Sequence, residues 1–224
     1  MPIAERAIER LRAGQRLTVP EFLRRWEAMP EVKFAELIDG VVYTPSPQTS
    51  DHGRAEIRID TWLGMYIAST PGCDAGSQST WLMLLSAPQP DSYLWIHPEF
   101  GGQSTTQGKY HVGAPELATE ICLSSEAYDL GVKKTLYENA GVCEYVAILM
   151  REEEIRWHRL VNGTYELCQP TAKGVYRSRT FPGLWLDAPA LWRYDLARLL
   201  QTLGRGLRSA EHTAFVKKLA ARKN

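Results

Sequence analysis

The chain has 224 residues, of which 44% are hydrophobic and 23% are charged, as in an ordinary globular protein built around one core. Its 26 basic and 26 acidic residues cancel, which excludes a global positive field and leaves any nucleic-acid binding to a local patch. The sequence has neither a secretory signal nor an apolar run as long as a membrane span. We therefore expect a cytoplasmic protein with no membrane partner, and the sequence leaves a homodimer open.

The first half of the chain predicts helices on either side of a hairpin. Helical spacing predicts a helix over residues 3–11, and a capping box at residues 18–21, with proline in its first turn, begins a second helix. Apolar runs flank Asp39-Gly40, which is a strong signal for a hairpin. A further helix is predicted over residues 51–69. It is expected to pack through Ile57, Trp62, Met65 and Tyr66.

The second half is rich in strands. Its patterns predict strands at residues 81–85, 93–96, 117–123 and 144–149, a second hairpin around Asn162-Gly163, and helices at residues 129–140, 191–203 and 210–221. A polar, glycine-rich loop is expected at residues 101–108, and Gly141 would end the helix that begins at residue 129. This order of elements indicates an α/β fold with a mixed sheet.

Three acidic residues lie in strand-like contexts far apart in the chain, namely Glu36, Asp91 and Glu120. Carboxylates are costly to bury unless they are paired, hydrogen-bonded or bound to a metal. Strands that bring these side chains together would form an oxygen site suited to Mg²⁺ or Mn²⁺. A lysine beside such a site, here Lys133, can stabilise charge that develops on a phosphate. The pattern therefore favours hydrolysis of a phosphodiester.

Each of these residues also has an ordinary structural interpretation, which the sequence leaves open. Asp91 could begin a turn after its proline, Glu120 could face solvent on an edge strand, and Glu36 could pair with an arginine. Lys133 lies four residues after Asp129 and could form an exposed ion pair with it. The hydrolytic interpretation instead requires the carboxyl groups of Asp91 and Glu120 to face each other, with Lys133 pointing toward them and the next lysine toward solvent.

Several short motifs occur in an order that resembles a known family. They are Glu36-Leu37-Ile38-Asp39-Gly40, Ser46-Pro47 with His52 after it, Pro90-Asp91, Glu120-Ile121-Cys122-Leu123-Ser124, Asp129-Leu130-Gly131-Val132-Lys133, and Tyr137 with Ala140-Gly141-Val142-Cys143-Glu144-Tyr145. Together they resemble the Uma-two proteins, restriction endonuclease-like members of the PD-(D/E)XK nuclease superfamily. The resemblance extends from near Leu17 to near Leu186.

The resemblance implies a restriction endonuclease-like domain at residues 17–187, in which helices flank a central mixed β-sheet. Residues 1–16 and 188–224 would then be helical extensions at the two ends of the chain. His52 is most often a surface or capping residue in such a position, but the resemblance makes it an accessory site residue. Asp129 and Tyr137, on the helix that carries Lys133, become accessory site residues in the same way.

The resemblance also assigns the main catalytic roles. Asp91 and Glu120 would bind the metal, Glu36 would be a further catalytic acid, and Lys133 would be the catalytic lysine. A strict (D/E)XK motif places its lysine two residues after the glutamate, where this chain has Cys122. In the Uma-two proteins the lysine is thought to have moved to the following helix, which on this chain corresponds to Lys133.

The leading interpretation is therefore a Mg²⁺-dependent endonuclease that hydrolyses nucleic acid, with DNA as the substrate that the superfamily implies. A non-catalytic protein that keeps the nuclease fold and binds or regulates is the main alternative, which the zero net charge and the missing strand lysine favour. An enzyme that acts on a small phosphorylated molecule is a third interpretation. Metal titration followed by a nuclease assay separates the first two.

Overall fold

The computed structural model describes residues 9–44, 48–123 and 125–223. The strands in these ranges are β1 (Glu36–Ile38), β2 (Val41–Tyr43), β3 (Cys73–Ser77), β4 (Trp81–Leu82), β5 (Ser92–Ile96), β6 (Thr105–Gln107), β7 (Tyr110–Val112), β8 (Leu117–Cys122), β9 (Glu144–Leu149), β10 (Glu154–Val161), β11 (Thr164–Leu167), β12 (Val175–Arg177) and β13 (Trp185–Asp187). The helices are α1 (Val19–Glu27), α2 (Ser50–Ala68), α3 (Glu126–Tyr128), α4 (Lys134–Ala140), α5 (Ala188–Trp192), α6 (Leu196–Leu207) and α7 (Ala210–Ala220). A π-helical turn, Asp129–Lys133, joins α3 to α4, and a short 3₁₀ helix, Pro98–Phe100, follows β5.

A six-stranded sheet in the order β11-β10-β9-β8-β5-β3 forms the centre of the molecule. The strands β8 and β9 are parallel and are joined by the crossover through α3 and α4, whereas the other neighbours in the sheet are antiparallel. The predicted α/β fold with a central mixed sheet is therefore confirmed. The strand β1, the start of α2, the segment before β5, the strand β8 and the π-helical turn supply the side chains of the site described below.

Helices cover both faces of this sheet. On one face Ile59 and Trp62 of α2 share a buried core with Leu199 and Leu203 of α6. On the other face Tyr137 of α4 belongs to a second buried cluster with the sheet residues. Every residue of β8 and β9 is buried, as expected for strands covered by helices on both sides. A polar side chain that points out of β8 must therefore have a partner within the protein.

Most of the sequence predictions that rest on turn and cap chemistry are confirmed. The side chain of Thr18 caps α1 by accepting a hydrogen bond from the Glu21 N–H. The pairs Asp39-Gly40 and Asn162-Gly163 turn the hairpins β1–β2 and β10–β11, with positive φ at all four residues. Gly141 ends α4 with φ of 87°, a left-handed conformation that glycine adopts without steric cost.

Other predictions were wrong in extent or in kind. The predicted strand 81–85 stops at Leu82, because the chain reverses at Leu84 and Leu85, whose side chains are 62% and 72% exposed. Ile57, expected in the core, is 58% exposed. The predicted loop 101–108 contains β6, and the helix predicted at 191–203 is two helices, α5 and α6. The helix predicted at 3–11 falls mostly outside the described residues, and residues 9–11 are not helical.

One buried acid, Glu144 at the start of β9, has a structural role. Its Oε2 accepts hydrogen bonds from Trp157 Nε1 at 3.0 Å and Ser178 Oγ at 2.7 Å, and its Oε1 accepts from the backbone N–H groups of Arg179 and Thr180 at 2.7 and 2.9 Å. Four donors thus satisfy a carboxylate that has no exposed surface. This acid fixes the segment before β13 to the sheet.

We expect Glu144→Gln to lower the free energy of unfolding by about 1–3 kcal/mol, because the amide NH₂ would face donors that then lose their acceptor. Chemical denaturation of wild type and variant measures the difference. Metal binding at the site described below should be unchanged, and a selective loss of metal binding would mean that Glu144 acts in the site.

Among the helices of the described residues, none is both long enough and apolar enough to cross a bilayer.

Candidate active site

The structure brings six of the seven predicted site residues to one pocket of about 610 Å³. These residues are Glu36, His52, Asp91, Glu120, Asp129 and Lys133. The seventh, Tyr137, lies fully buried behind Glu120 and donates a hydrogen bond to its Oε1 at 2.8 Å. The contributing elements are the hairpin strand β1, the start of α2, the loop before β5, the strand β8 and the π-helical turn.

Asp91 and Glu120 lie opposite each other on neighbouring strands. Ser92 pairs with Thr119 in the antiparallel ladder of β5 and β8, so the next residue on each strand, Asp91 and Glu120, continues the register. Residues at facing positions of such a pair point to the same side of the sheet, with Cβ atoms about 4.5–5.5 Å apart. The register of the sheet thus places the two carboxyl groups on the same wall of the pocket.

Asp91 is held by donors from three directions. Its Oδ2 accepts a hydrogen bond from the Ile121 N–H at 2.7 Å and lies 3.2 Å from His52 Nε2. Its Oδ1 accepts from Gln78 Nε2 at 3.3 Å. The contact with Ile121 fixes Asp91 to β8 beside Glu120. Asp91 therefore does more than begin a turn, because its side chain connects two strands and α2.

Glu120 is 3% exposed and points from an interior strand of the sheet. The alternative of a solvated glutamate on an edge strand is therefore wrong. Its Oε1 lies 2.7 Å from Lys133 Nζ and accepts the hydrogen bond from Tyr137. A buried carboxylate needs such partners, because its desolvation is otherwise uncompensated.

Lys133 is also 3% exposed, which rules out the alternative of an exposed ion pair. Its Nζ lies between two carboxylates, 2.7 Å from Glu120 Oε1 and 3.0 Å from Glu36 Oε1. Glu36 therefore pairs with this lysine instead of with an arginine, and its Oε1 also accepts the Gln89 N–H at 2.6 Å. The next residue, Lys134, is partly exposed and does not line the pocket.

The π-helical turn carries Lys133 to this position. The N–H of Lys134 donates to the carbonyl oxygen of Asp129 five residues earlier, and Tyr145 Oη donates to the same oxygen at 3.0 Å. Such turns are rare and occur frequently at functional sites. Both ends of the turn, Asp129 and Lys133, are buried and face the pocket. A helical periodicity of 3.6 residues, read from the sequence, does not reveal this turn.

Burial and crowding of charges perturb the ionisable groups of the site. Burial raises the pKa of Glu120 well above its ordinary value, and Asp91, Asp129 and Glu36 add to the rise while Lys133 opposes it. Burial lowers the pKa of Lys133, but the surrounding carboxylates outweigh this effect and the net pKa is well above its ordinary value. The lysine therefore stays protonated at neutral pH.

His52 is a charged member of the site as well. Burial lowers its pKa, but hydrogen bonding to Asp91 and Glu56 and their negative charges outweigh burial and raise the pKa to about 10. The imidazolium of His52 thus neutralises part of the charge on Asp91. This places His52 in a positioning role, because it holds the carboxyl group of Asp91.

The raised pKa of His52 predicts a pH-dependent stability. Its contribution is fully present below the unfolded-state pKa of about 6.5 and is lost as pH rises through about 10. In chelator we expect the free energy of unfolding of wild type to fall between roughly pH 7 and pH 10, and to fall more steeply than that of His52→Gln. The two slopes should differ by at most about 1.4 kcal/mol per pH unit. Urea denaturation across this range measures both slopes, and parallel curves would contradict the prediction.

The sequence did not predict several groups that complete the site. Glu56 lies one helical turn after His52, Gln78 bridges Glu56 and Asp91 with its amide, and Tyr128 donates to Glu36 Oε2 at 3.3 Å. The spacing of four between His52 and Glu56 was the available signal, since such residues share one helix face. Cys122, at the position of the motif lysine, is buried, and burial raises the pKa of its thiol, so it stays uncharged.

This chain is similar to proteins described as nucleases. A family model described as "Uma2: Putative restriction endonuclease" matches residues 19–189. A crystal structure described as a "putative nuclease belonging to DUF820" from Anabaena variabilis ATCC 29413 matches 80% of this chain and 98% of its own chain, with 17% identity and a TM-score of 0.60. At that identity the likeness shows a shared fold. The search of curated proteins found no match.

Proposed function

We propose, from the premise that this chain belongs to the Uma2 family of restriction endonuclease-like proteins, that it is a Mg²⁺-dependent nuclease whose substrate is DNA. One observation carries the proposal. Asp91, Glu120, Glu36 and Lys133, which are distant in sequence, converge on one pocket at an end of the central sheet. Buried ionisable groups with perturbed pKa values that gather in a cleft are candidates for a functional site.

The donor set suits Mg²⁺. Within the described part of the chain, no three His, Cys, Asp or Glu side chains are grouped to coordinate one ion. Mg²⁺ needs no such cage, because it is bound through one or two carboxylates, together with water and substrate phosphates. Asp91 and Glu120 supply two carboxylates on one wall of the pocket. Mn²⁺ would be accepted by the same oxygens.

When bound, such a metal would lower the pKa of water and act as a Lewis acid toward the phosphate. The protein's own side chains would stabilise charge on the phosphate and position the two carboxyl groups. Lys133 would face charge that develops on the phosphate, while Glu36 keeps the ammonium in the pocket. Tyr137 orients Glu120, and His52 orients Asp91. Groups held in this way by further hydrogen bonds lose little freedom when substrate binds.

A non-catalytic protein of nuclease fold is the second candidate. The observation in its favour is that Lys133 pairs with both Glu36 and Glu120, so that part of the site is satisfied without metal. Such a protein would keep the ion-pair network as a structural element and bind its partner elsewhere or without hydrolysis.

A nuclease assay with Mg²⁺ and with chelator tests the proposal on plasmid and single-stranded DNA. Wild type should cleave with Mg²⁺ and not with chelator. Glu120→Gln, which removes one metal ligand and changes little volume, should abolish cleavage. The matched control is Glu152→Gln, at an exposed position, which should cleave like wild type. Mg²⁺ binding by calorimetry without any cleavage would instead support the non-catalytic candidate.

A further inference from the structure

The pocket has an apolar wall as well as an acidic floor. Its apolar lining residues are Val32, Phe34, Tyr43, Ile121, Leu123 and Tyr128. Pockets that recognise a small organic group combine such a wall with a few placed polar groups. Phosphate alone would not need it. The wall therefore indicates that the pocket receives something attached to the phosphate.

Phe34 is the most exposed part of this wall. It is 44% exposed, although the next residue, Ala35, is fully buried. Phe34 lies two residues before Glu36 in the segment that leads into β1, and both residues line the pocket. Its exposed ring extends the apolar wall to the mouth of the pocket, and a contiguous apolar surface rimmed by polar groups is typical of a binding site.

The remaining aromatic rings are fixed to the acidic floor. Tyr43 pairs with Glu36 across the β1–β2 hairpin, and its ring packs against that of Tyr128 at 4.6 Å between centroids. Tyr128 in turn donates its hydroxyl hydrogen bond to Glu36. The aromatic wall is therefore connected through Glu36 to Lys133, which in turn pairs with the candidate metal ligand Glu120. A group stacked on the wall would have its attached phosphate within the same pocket.

Charge around the pocket limits how many phosphates it can bind. The described lining residues include the acids Glu31, Glu36, Asp91, Glu120 and Asp129. The cationic lining residues are Lys33, His52 and Lys133. Acids thus exceed cations by two, whereas binding of a duplex depends on many lysine and arginine contacts to phosphates.

Lys223, near the end of the chain, does not make up this difference. Lys223 Nζ lies 5.5 Å from the ring centroid of Phe100, and Phe100 follows the end of β5 opposite to Asp91. Five strand residues separate the two ends by about 17 Å. Lys223 therefore lies away from the pocket.

We infer that the pocket takes an unpaired nucleobase against Phe34 and Tyr43, with the adjoining phosphate toward Asp91 and Glu120, so that the substrate class is single-stranded DNA. This inference rests on the proposed function, which it narrows from DNA in general to strands whose bases are free to stack. Stacking tolerates different bases because every base has a π face. A duplex would first have to unpair, which costs a few kcal/mol.

Fluorescence anisotropy with a labelled twelve-residue thymidine oligonucleotide tests this inference. The comparison is the same oligonucleotide annealed to its complementary strand. Ca²⁺ replaces Mg²⁺ as an oxygen-binding cation. The single strand should bind at least about tenfold more tightly than the duplex, and Phe34→Ala should weaken it by about 5-fold to 150-fold, the range for loss of one stacked base. The control is Leu167→Ala, on the far edge strand β11 and 51% exposed, which should bind like wild type.

Three results would overturn the inference: a duplex bound as tightly as the single strand, equal binding by Phe34→Ala and Leu167→Ala, or competition by thymidine monophosphate as strong as that by the oligonucleotide. The salt dependence gives a further check, with an expected slope of log K against log salt of about −1 to −2. Binding in Ca²⁺ is measured without turnover, so the two proposals fail separately. Single-strand binding that needs Phe34, together with no cleavage in the Mg²⁺ assay, would retain this inference and reject the nuclease proposal.

Discussion

Lys133→Met should lower the free energy of unfolding in chelator by about 3–5 kcal/mol, because it removes the cation from buried Glu120 and Glu36 and leaves their charges uncompensated. The same change should reduce hydrolysis by about 10²–10³-fold, the usual effect of losing one electrostatic group that stabilises the transition state. The lysine is 3% exposed and within 3.0 Å of both carboxylates. We therefore expect its removal to lower both the stability and the rate of hydrolysis.

Lys134→Met is the matched control, since it is the adjacent residue, is partly exposed and does not line the pocket. It should change the free energy of unfolding by less than about 0.5 kcal/mol and leave hydrolysis unchanged. Denaturation in chelator and a single-turnover assay with Mg²⁺ give the two readouts. Equal effects of the two substitutions would show that Lys133 is an ordinary helix residue.

Addition of Mg²⁺ should distinguish a cation site from a simple ion pair. A ligand that binds only the folded protein stabilises it in proportion to RT ln(1 + [L]/Kd). In Lys133→Met the uncompensated carboxylates attract a divalent cation more strongly, so Mg²⁺ should raise the melting temperature of this variant more than that of wild type. An identical response in both proteins would contradict this expectation.

Local chemistry made much of the fold predictable. The residue pairs at both hairpin turns, the capping threonine of α1 and the terminal glycine of α4 determine backbone geometry within a few residues. β3, whose sequence is Cys-Asp-Ala-Gly-Ser, has neither apolar alternation nor β-branched residues. It is a strand because β5 supplies hydrogen-bond partners along its whole length. Such a strand depends on tertiary structure, which local patterns do not contain.

The candidate site also contains residues that the sequence predicted and residues that it did not. An acid inside an apolar strand stands out in a sequence, because its burial requires a partner, and this made Glu120 recognisable. Asp91 comes just before its strand, and the family resemblance singled it out. Gln78 and Glu56 did not stand out, since polar residues in a loop or on a helix usually face solvent. The contact between Glu36 and Lys133 joins β1, which lies outside the central sheet, to the π-helical turn. No local pattern predicts a contact between residues so far apart in sequence.

Asp91→Asn should remove the response of the protein to Mg²⁺ and reduce hydrolysis by at least a factor of about 100, because a metal contributes several kcal/mol to the transition state. In chelator the variant should lose about 1.5–3 kcal/mol of stability, since Asp91 accepts charge-assisted hydrogen bonds from His52 and the Ile121 N–H. The hydrogen-bond donors around Asp91 determine whether this substitution lowers or raises the stability. An unpaired acid in a cluster of like charges would instead become more stable when neutralised.

The control for this prediction is Asp60→Asn, a nearby acid on α2 that accepts a hydrogen bond from Ser92 at 2.6 Å and does not line the pocket. Thermal melting of wild type and both variants, with chelator and with excess Mg²⁺, gives the metal response of each. A double-mutant cycle with His52→Gln should give a coupling energy above about 0.5 kcal/mol, because the two side chains are in contact. An Asp91→Asn protein that still gains stability from Mg²⁺ as wild type does would show that this carboxylate binds no metal.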